Sequence, residues 1–196
     1  LQNMVNRNTG KKLKVNDAKK LSEEEISKQL SDEHHIMAVQ SDKAVIDFFH
    51  EQIERIEKVV LKEVKLRYPY KELVTVPGIG EILGITIMLE TGDINRFPTV
   101  SDYSSYCRCV SSKKISNGKK KGESNKKNGN KYLAWAYVEA ANFMVRYSEP
   151  ARSWHQRKAS KTNKIVAIKA LSNKIARACY FIIKDQKPFD PKKLFQ

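Results

Sequence analysis

Thirty-two residues from Glu33 to Val64 pass without a proline or a glycine. Val39, Ile46, Phe49, Ile53, Ile56 and Val60 fall mainly three or four apart in that run, with Glu51, Glu54, Lys58 and Lys62 beside them. Apolar residues at that spacing make a stripe along one face of a helix, so a long helix is predicted over Glu33–Val64. So regular a stripe is a packing face, and a coiled-coil seam or a packed helical hairpin follows from it. No other stretch of the chain shows the two-residue alternation of a half-buried strand. The fold class is therefore predicted as all-α: a long coiled-coil-like helix followed by a compact helical domain.

The remaining helices are read from their punctuation. Residues 1–16 show no periodicity and are expected to be a loose lead-in. Ser22 with Glu25 three residues on is a capping box, opening a short helix to about Leu30. Tyr68-Pro69 is expected to end the long helix. Leu73-Val74-Thr75-Val76-Pro77-Gly78-Ile79-Gly80 then leads into the apolar Ile82–Leu89. Thr91-Gly92-Asp93 should close that helix, with Ile94 and Phe97 packing back, and Thr99–Tyr106 reads as a short capped helix. Asn128-Gly129-Asn130 starts an apolar helix over Tyr132–Tyr147, in which Trp135 and Tyr137 are expected in the core. Pro150 opens another helix, whose lone His155 is expected at the surface. Lys164–Lys184 is predicted as the last long helix, with Ile165, Ile168, Leu171, Ile175, Ala178 and Ile182 on one face. From Gln186 the chain should be extended. These elements divide into lead-in and linker helices over 1–67 and a helical domain over 68–196.

Charge points to a partner. Residues 1–110 carry 16 Lys and Arg against 17 Asp and Glu, whereas residues 111–196 carry 21 against 5. All of the excess positive charge lies in the second part, which is the footprint of a polyanion, nucleic acid before membrane surface. No apolar run approaches the ~18 residues of a membrane span, and no signal-peptide pattern is present. Cys107, Cys109 and Cys179 are an odd number without CxxC spacing, and the four histidines lie far off. A structural zinc site thus lacks ligands, and the cysteines read as core or interface thiols in a reducing cytosol.

The basic residues concentrate in Ser111 to Lys131, where Lys113, Lys114, Lys119, Lys120, Lys121, Lys126, Lys127 and Lys131 face one acid, Glu123. With Ile115 its single isoleucine, the segment buries too little to order itself and is expected to be a mobile loop. Lysines on glycine-bearing backbone suit phosphate contacts, and a solvated linker is the plain alternative. At the loop centre Ser116 stands before a turn-forming Asn117-Gly118 pair and Lys119. The Pro77-Gly78-Ile79-Gly80 tetrad resembles the hairpin of a helix-hairpin-helix motif. There Gly78 and Gly80 would let backbone approach a phosphate at a helix N-terminus. A plain turn before a helix is the alternative.

The order of these parts resembles a known family. The PGIG hairpin, Phe97-Pro98, a short helix, the Ser/Gly/Lys loop, Gly129-Asn130 and Val138-Glu139-Ala140-Ala141 follow one another as they do there. They look like the C-terminal transposase domain of the insertion-sequence family related to the Piv DNA invertase, the bridge-RNA-guided serine recombinases. Asn173-Lys174-Ile175-Ala176-Arg177-Ala178 through Tyr180 is similar to the family's closing segment. The resemblance spans roughly Tyr68 to Asp190, and the residues before it look like an arm of the family's connecting coiled coil. It implies that Ser116 is the nucleophile that attacks a DNA phosphate, with Lys119, Lys120 and Lys121 stabilising charge. Ser111, Ser112 and Ser124 also lie in the loop and leave the assignment open. The family's Ser-Gly-Gly turn appears here with asparagine for one glycine, a residue that tolerates the same positive φ.

The family's acidic N-terminal domain, with four metal ligands, has no counterpart in this sequence, which begins at Leu1. The chain is thus expected to be a fragment that binds nucleic acid without cutting it. It would need no cofactor itself, while Mg2+ would be held by the missing domain in the intact protein. The resemblance further implies DNA and a guide (bridge) RNA as partners, homo-oligomers through the coiled coil, and a cytoplasmic, nucleoid-associated prokaryotic protein. Two other readings exist: a non-catalytic helix-hairpin-helix binding module, and a ribosome-associated or structural RNA protein.

Overall fold

A computed structural model describes residues 1–65, 67–110, 113–123 and 128–195. The chain divides into two compact units, 1–60 and 61–196.

The first unit is a small helical cluster. α1 (Gln2–Thr9), α2 (Val15–Lys20) and α3 (Glu23–Gln29) precede α4 (Glu33–Val64). Val5, Leu21, Ile26, Leu30 and Val39 form its core. The lead-in is therefore helical where a loose segment was expected. Helices this short are marginal in isolation, and packing of Val5 into the core decides the outcome where residues 1–16 carry no periodic signal. Gly10 ends α1 in the left-handed conformation, at φ 67°. Both hydrogen bonds of the Ser22–Glu25 capping box are made, as the sequence required.

α4 has the predicted bounds. Val39 is fully buried, but further along the stripe Phe49, Ile53 and Ile56 are each more than half exposed, and so are the adjoining Phe48 and Val59. Such a run of exposed apolar side chains is unusual on a soluble surface.

The second unit holds the larger core. Pro69 lies in the first turn of α5 (Tyr68–Leu73), a position where its missing N–H costs nothing. α6 (Glu81–Thr91), a 3₁₀ turn (Ile94–Arg96) and α7 (Val100–Tyr106) follow. After a two-stranded excursion come α8 (Lys131–Tyr147), α9 (Glu149–Lys161), α10 (Lys164–Asp185) and α11 (Pro191–Leu194). α8 turns Leu133, Ala136, Tyr137, Ala140, Ala141 and Met144 inward. Three alanines on one face let α6 and α10 approach closely.

Tyrosines tie these helices together. The Tyr103 hydroxyl bonds Thr91 Oγ1 at 2.8 Å and the Tyr137 hydroxyl at 2.6 Å, linking α6, α7 and α8. Tyr180 on α10 donates to the Phe97 carbonyl at 3.0 Å and packs its ring on Tyr103. Every hydroxyl in this buried set has a partner, which removes the penalty of burying it. All three cysteines are free and buried. Burial pushes the Cys109 thiol up to about 11 and that of Cys179 to about 12, so neither is a thiolate near neutrality.

Three expectations need correction. Trp135 is half exposed, because it lies on the opposite side of α8 from the buried Tyr137. Ile165 is 82 % exposed, since the first turn of α10 precedes the core that Leu171, Ile175 and Ile182 enter. The tail from Gln186 is not wholly extended, for Asp190 caps the one-turn helix α11. No helix among the described residues is long and apolar enough to cross a membrane.

Candidate nucleic-acid interface

The basic stretch is a β-hairpin over its described part, not the mobile loop expected from composition. β1 (Lys113–Ser116) pairs antiparallel with β2 (Lys119–Glu123), joined by Asn117 and Gly118. Both turn residues have positive φ, 50° and 70°, as a two-residue type I′ turn demands. Asn-Gly is the pair that meets this demand most readily, and the cue lay in the sequence. Composition argued the other way because a lysine-rich ribbon has no apolar face to alternate.

The hairpin sets out a definite chemistry. Ser116 and Lys119 are cross-strand partners flanking the turn, so their side chains share one face of the ribbon. Both are exposed, as are Asn117 and Gly118. The register shifts between Lys114 and Ile115, pairing Lys114 with Gly122 and Ile115 with Lys120. Lys121 is thereby left as an unpaired, exposed bulge residue. Lys113, Lys114 and Lys120 have strand backbone. Lys126 and Lys127, with Ser111, Ser112 and Ser124, lie outside the described residues. Lys131 is the exposed first residue of α8, its ammonium 4.9 Å from the centre of the Tyr132 ring.

Where the ribbon leaves and re-enters the helical body, it is held on both sides. On the entry side Cys107 and Cys109 are buried, and the Cys109 amide donates to the Ser104 carbonyl at 3.0 Å. On the exit side the Asn130 amide donates to the Tyr106 carbonyl at 2.7 Å. That approach is possible only because residue 129 is glycine: a Cβ there would stand 2.4 Å from the same carbonyl oxygen. Arg108 joins the two sides, its guanidinium donating to the Gly129 carbonyl at 3.1 and 2.8 Å. Asn130 Oδ1 accepts from the amides of Tyr132 and Leu133 and so caps α8, while its Nδ2 donates to Glu90 at 2.6 Å. Hydrogen bonds from Asn130 and Arg96 hold the Tyr106 phenol below its usual pKa. The Arg96 guanidinium covers the rings of Phe97 and Tyr106 at 4.5 and 4.6 Å.

Of these supports, the sequence reading named Gly129 and Asn130, as a helix start and as part of the family's motif order, but not as a clamp. Arg108, Glu90 and Arg96 were missed. Each is a lone charged residue at a helix end, and nothing local distinguishes a clamp from a solvated side chain.

The two glycines of the PGIG tetrad have different surroundings. Gly78 has φ 90°, and a Cβ on it would meet the Ala140 carbonyl oxygen at 2.3 Å and the Met144 amide at 2.7 Å. It is the point where the α5–α6 turn rests on the backbone of α8. Gly80 is exposed, has nothing within 4 Å of a built Cβ, and stands at the N-cap of α6. No side chain caps that end, so amides of its first turn are free to take an anion. Glu81 works against this from the first turn, and Lys65 offsets it at 3.5 Å. Gly80 and the Glu90–Asn130 bond sit at opposite ends of α6, about 15 Å apart at 1.5 Å rise per residue.

Residues 70–156 match the family model described as Transposase IS116/IS110/IS902 family. This stretch is similar to an insertion-sequence transposase domain. It contains the α5–α6 turn, the hairpin and its clamp, and supports a transposase function with DNA as partner. No curated protein matches the chain.

The glycines can be told apart by stability. Gly78→Ala should cost roughly 2–4 kcal/mol through left-handed backbone and overlap with α8, lowering the unfolding temperature on the order of 10 °C. Gly80→Ala should stay within about 1 kcal/mol, the difference between two modest N-caps. Thermal unfolding by circular dichroism measures both, and equal effects would contradict the assignment.

Proposed function

We propose that this chain is the DNA-binding, nucleophile-bearing part of a serine transposase, with Ser116 as the attacking residue. The observation that carries the reading is the placement of an exposed Ser116 beside a type I′ turn, on the same ribbon face as Lys119. In the step inferred, Ser116 Oγ attacks a backbone phosphorus and forms an Oγ–P bond. The P–O bond to one deoxyribose breaks, and its oxygen leaves as a hydroxyl. Lys119 and Lys121 sit where they can balance charge on the phosphoryl oxygens. Lys113, Lys114, Lys120, Lys126, Lys127 and Lys131 add sequence-independent attraction to the duplex, and Gly80 offers the α6 amides to a second phosphate.

A serine hydroxyl needs a base or a metal to become nucleophilic. Among the described residues no three carboxylate, thiol or imidazole groups come together to hold a metal ion. On this reading Mg2+ would be held by the family's acidic domain rather than by these residues. The proton acceptor belongs, on this reading, to an acidic domain outside the chain. A guide RNA as a further partner rests on the family resemblance alone.

The exposed stripe of α4 is proposed to pair with the same stripe of a second copy. Sedimentation of the chain should show a dimer or larger species at tens of micromolar, converted to monomer by Ile53→Asp with Ile56→Asp. A strictly monomeric native chain would contradict the pairing.

The nucleophile is tested by covalent capture. In a preparation of the whole transposase that cuts its DNA, Ser116→Ala should abolish cleavage and the protein–DNA adduct. Affinity should change little, since one neutral hydroxyl contributes only ~1 kcal/mol. Lys119→Ala should lower both rate and affinity. An adduct that maps to Ser111, Ser112 or Ser124 would overturn the assignment. Binding and cutting that are indifferent to Ser116 would favour the non-catalytic binding module.

A further inference from the structure

The C-terminal tail folds back along α10 and forms with it a half-open cavity of about 460 Å³. That is within the ~300–1,000 Å³ typical of small-ligand sites. Its wall combines two aromatic rings, Phe181 and Phe189, with basic side chains from α10 and the tail. Phe181 is 46 % exposed although it lies on the helix that carries the central core. Its ring stands edge-on to that of Tyr180, 5.3 Å between centres.

The charges of the cavity are unequally employed. Lys174 is engaged, its ammonium donating to the Leu194 carbonyl at 2.7 Å and lying 5.7 Å from the centre of the Trp154 ring. Lys193 lies 4.0 Å from Asp190. Arg177 and Lys187 have no hydrogen bond or ion pair among the described residues, and neither does the Asp185 carboxylate. The cavity thus presents an apolar, aromatic surface, two uncommitted cations and one uncommitted acceptor.

We infer that this cavity receives one unpaired nucleotide of a single strand. The base would lie against Phe181 and Phe189, because every base has a π-face and stacking tolerates any sequence. The flanking phosphate would be held by Arg177 and Lys187, the guanidinium being suited to bidentate contact. Asp185 would accept from an N–H at the base edge, such as N3–H of thymine or uracil, or from a ribose 2′-hydroxyl. A duplex cannot use this site, since its bases are stacked and its phosphates alone gain nothing from the rings. The site stands apart from the hairpin in sequence and in chemistry, so either can fail without the other.

The test uses the full chain with labelled ten-residue single strands, oligo(dT) and oligo(U), and a 20-base-pair duplex. Phe181→Ala and Arg177→Gln should each weaken single-strand binding roughly tenfold and leave duplex binding unchanged. Tighter oligo(U) than oligo(dT) binding that Asp185→Asn abolishes would assign the acceptor to the 2′-hydroxyl; equal binding would assign it to the base. In parallel, 4-thiouridine or 5-bromodeoxyuridine oligonucleotides should cross-link within residues 177–189. Unchanged single-strand affinity in both variants would overturn the inference. So would cross-links confined to 113–123, leaving the cavity to an apolar peptide. Were a variant to lose both kinds of binding, the cross-link position in the native chain would decide.

Discussion

One close approach governs how the basic ribbon is presented. Residue 129 carries no side chain, and the Tyr106 carbonyl can therefore reach the Asn130 amide at 2.7 Å. This single contact brings the exit of the ribbon to within hydrogen-bond range of its entry. Arg108 reinforces it from the entry side, and Asn130 carries it into the N-terminus of α8. A lysine-rich ribbon has almost nothing to bury and could not anchor itself. The clamp joins the helical segments that flank it on either side.

The helical body in turn supplies distance. α6 lies against α8 in the opposite direction: Gly78 touches Ala140 and Met144, and Glu90 bonds Asn130. The uncapped start of α6 and the Glu90–Asn130 bond are thereby about 15 Å apart, a rise of 1.5 Å for each intervening residue. On the proposed reading, phosphate contacts at both places would restrain orientation on DNA, whereas lysines on a flexible loop would supply only attraction. Tyr103 stands behind this arrangement, joining α6, α7 and α8 through hydroxyls that have no water to turn to.

How much of this could be read from residues alone depends on how local each signal was. The bounds of α4 and the Ser22–Glu25 capping box were legible, because periodicity and cap chemistry are written within a few positions. So was the positive-φ turn at Asn117-Gly118, though not the strands beside it, whose lysines carry no alternation. The helices of the lead-in were invisible, for Val5 is a single apolar residue whose partners lie on α3 and α4. Gly78 was legible as a turn but not as a packing contact, since Ala140 is more than sixty residues away. The clamp was hidden for the same reason: Glu90, Tyr106 and Asn130 meet only when three helices have docked.

The central claim is that the hairpin and the free end of α6 are the surfaces that meet DNA. Backbone amide spectra of the chain, recorded while a short duplex is added, address it directly. The account predicts the largest shifts at Asn117, Gly118 and Lys119, with a second group at Gly80 to Leu83 and little change in α1–α3. Shifts concentrated in α1–α3 or along α4, with the hairpin amides unmoved, would contradict it.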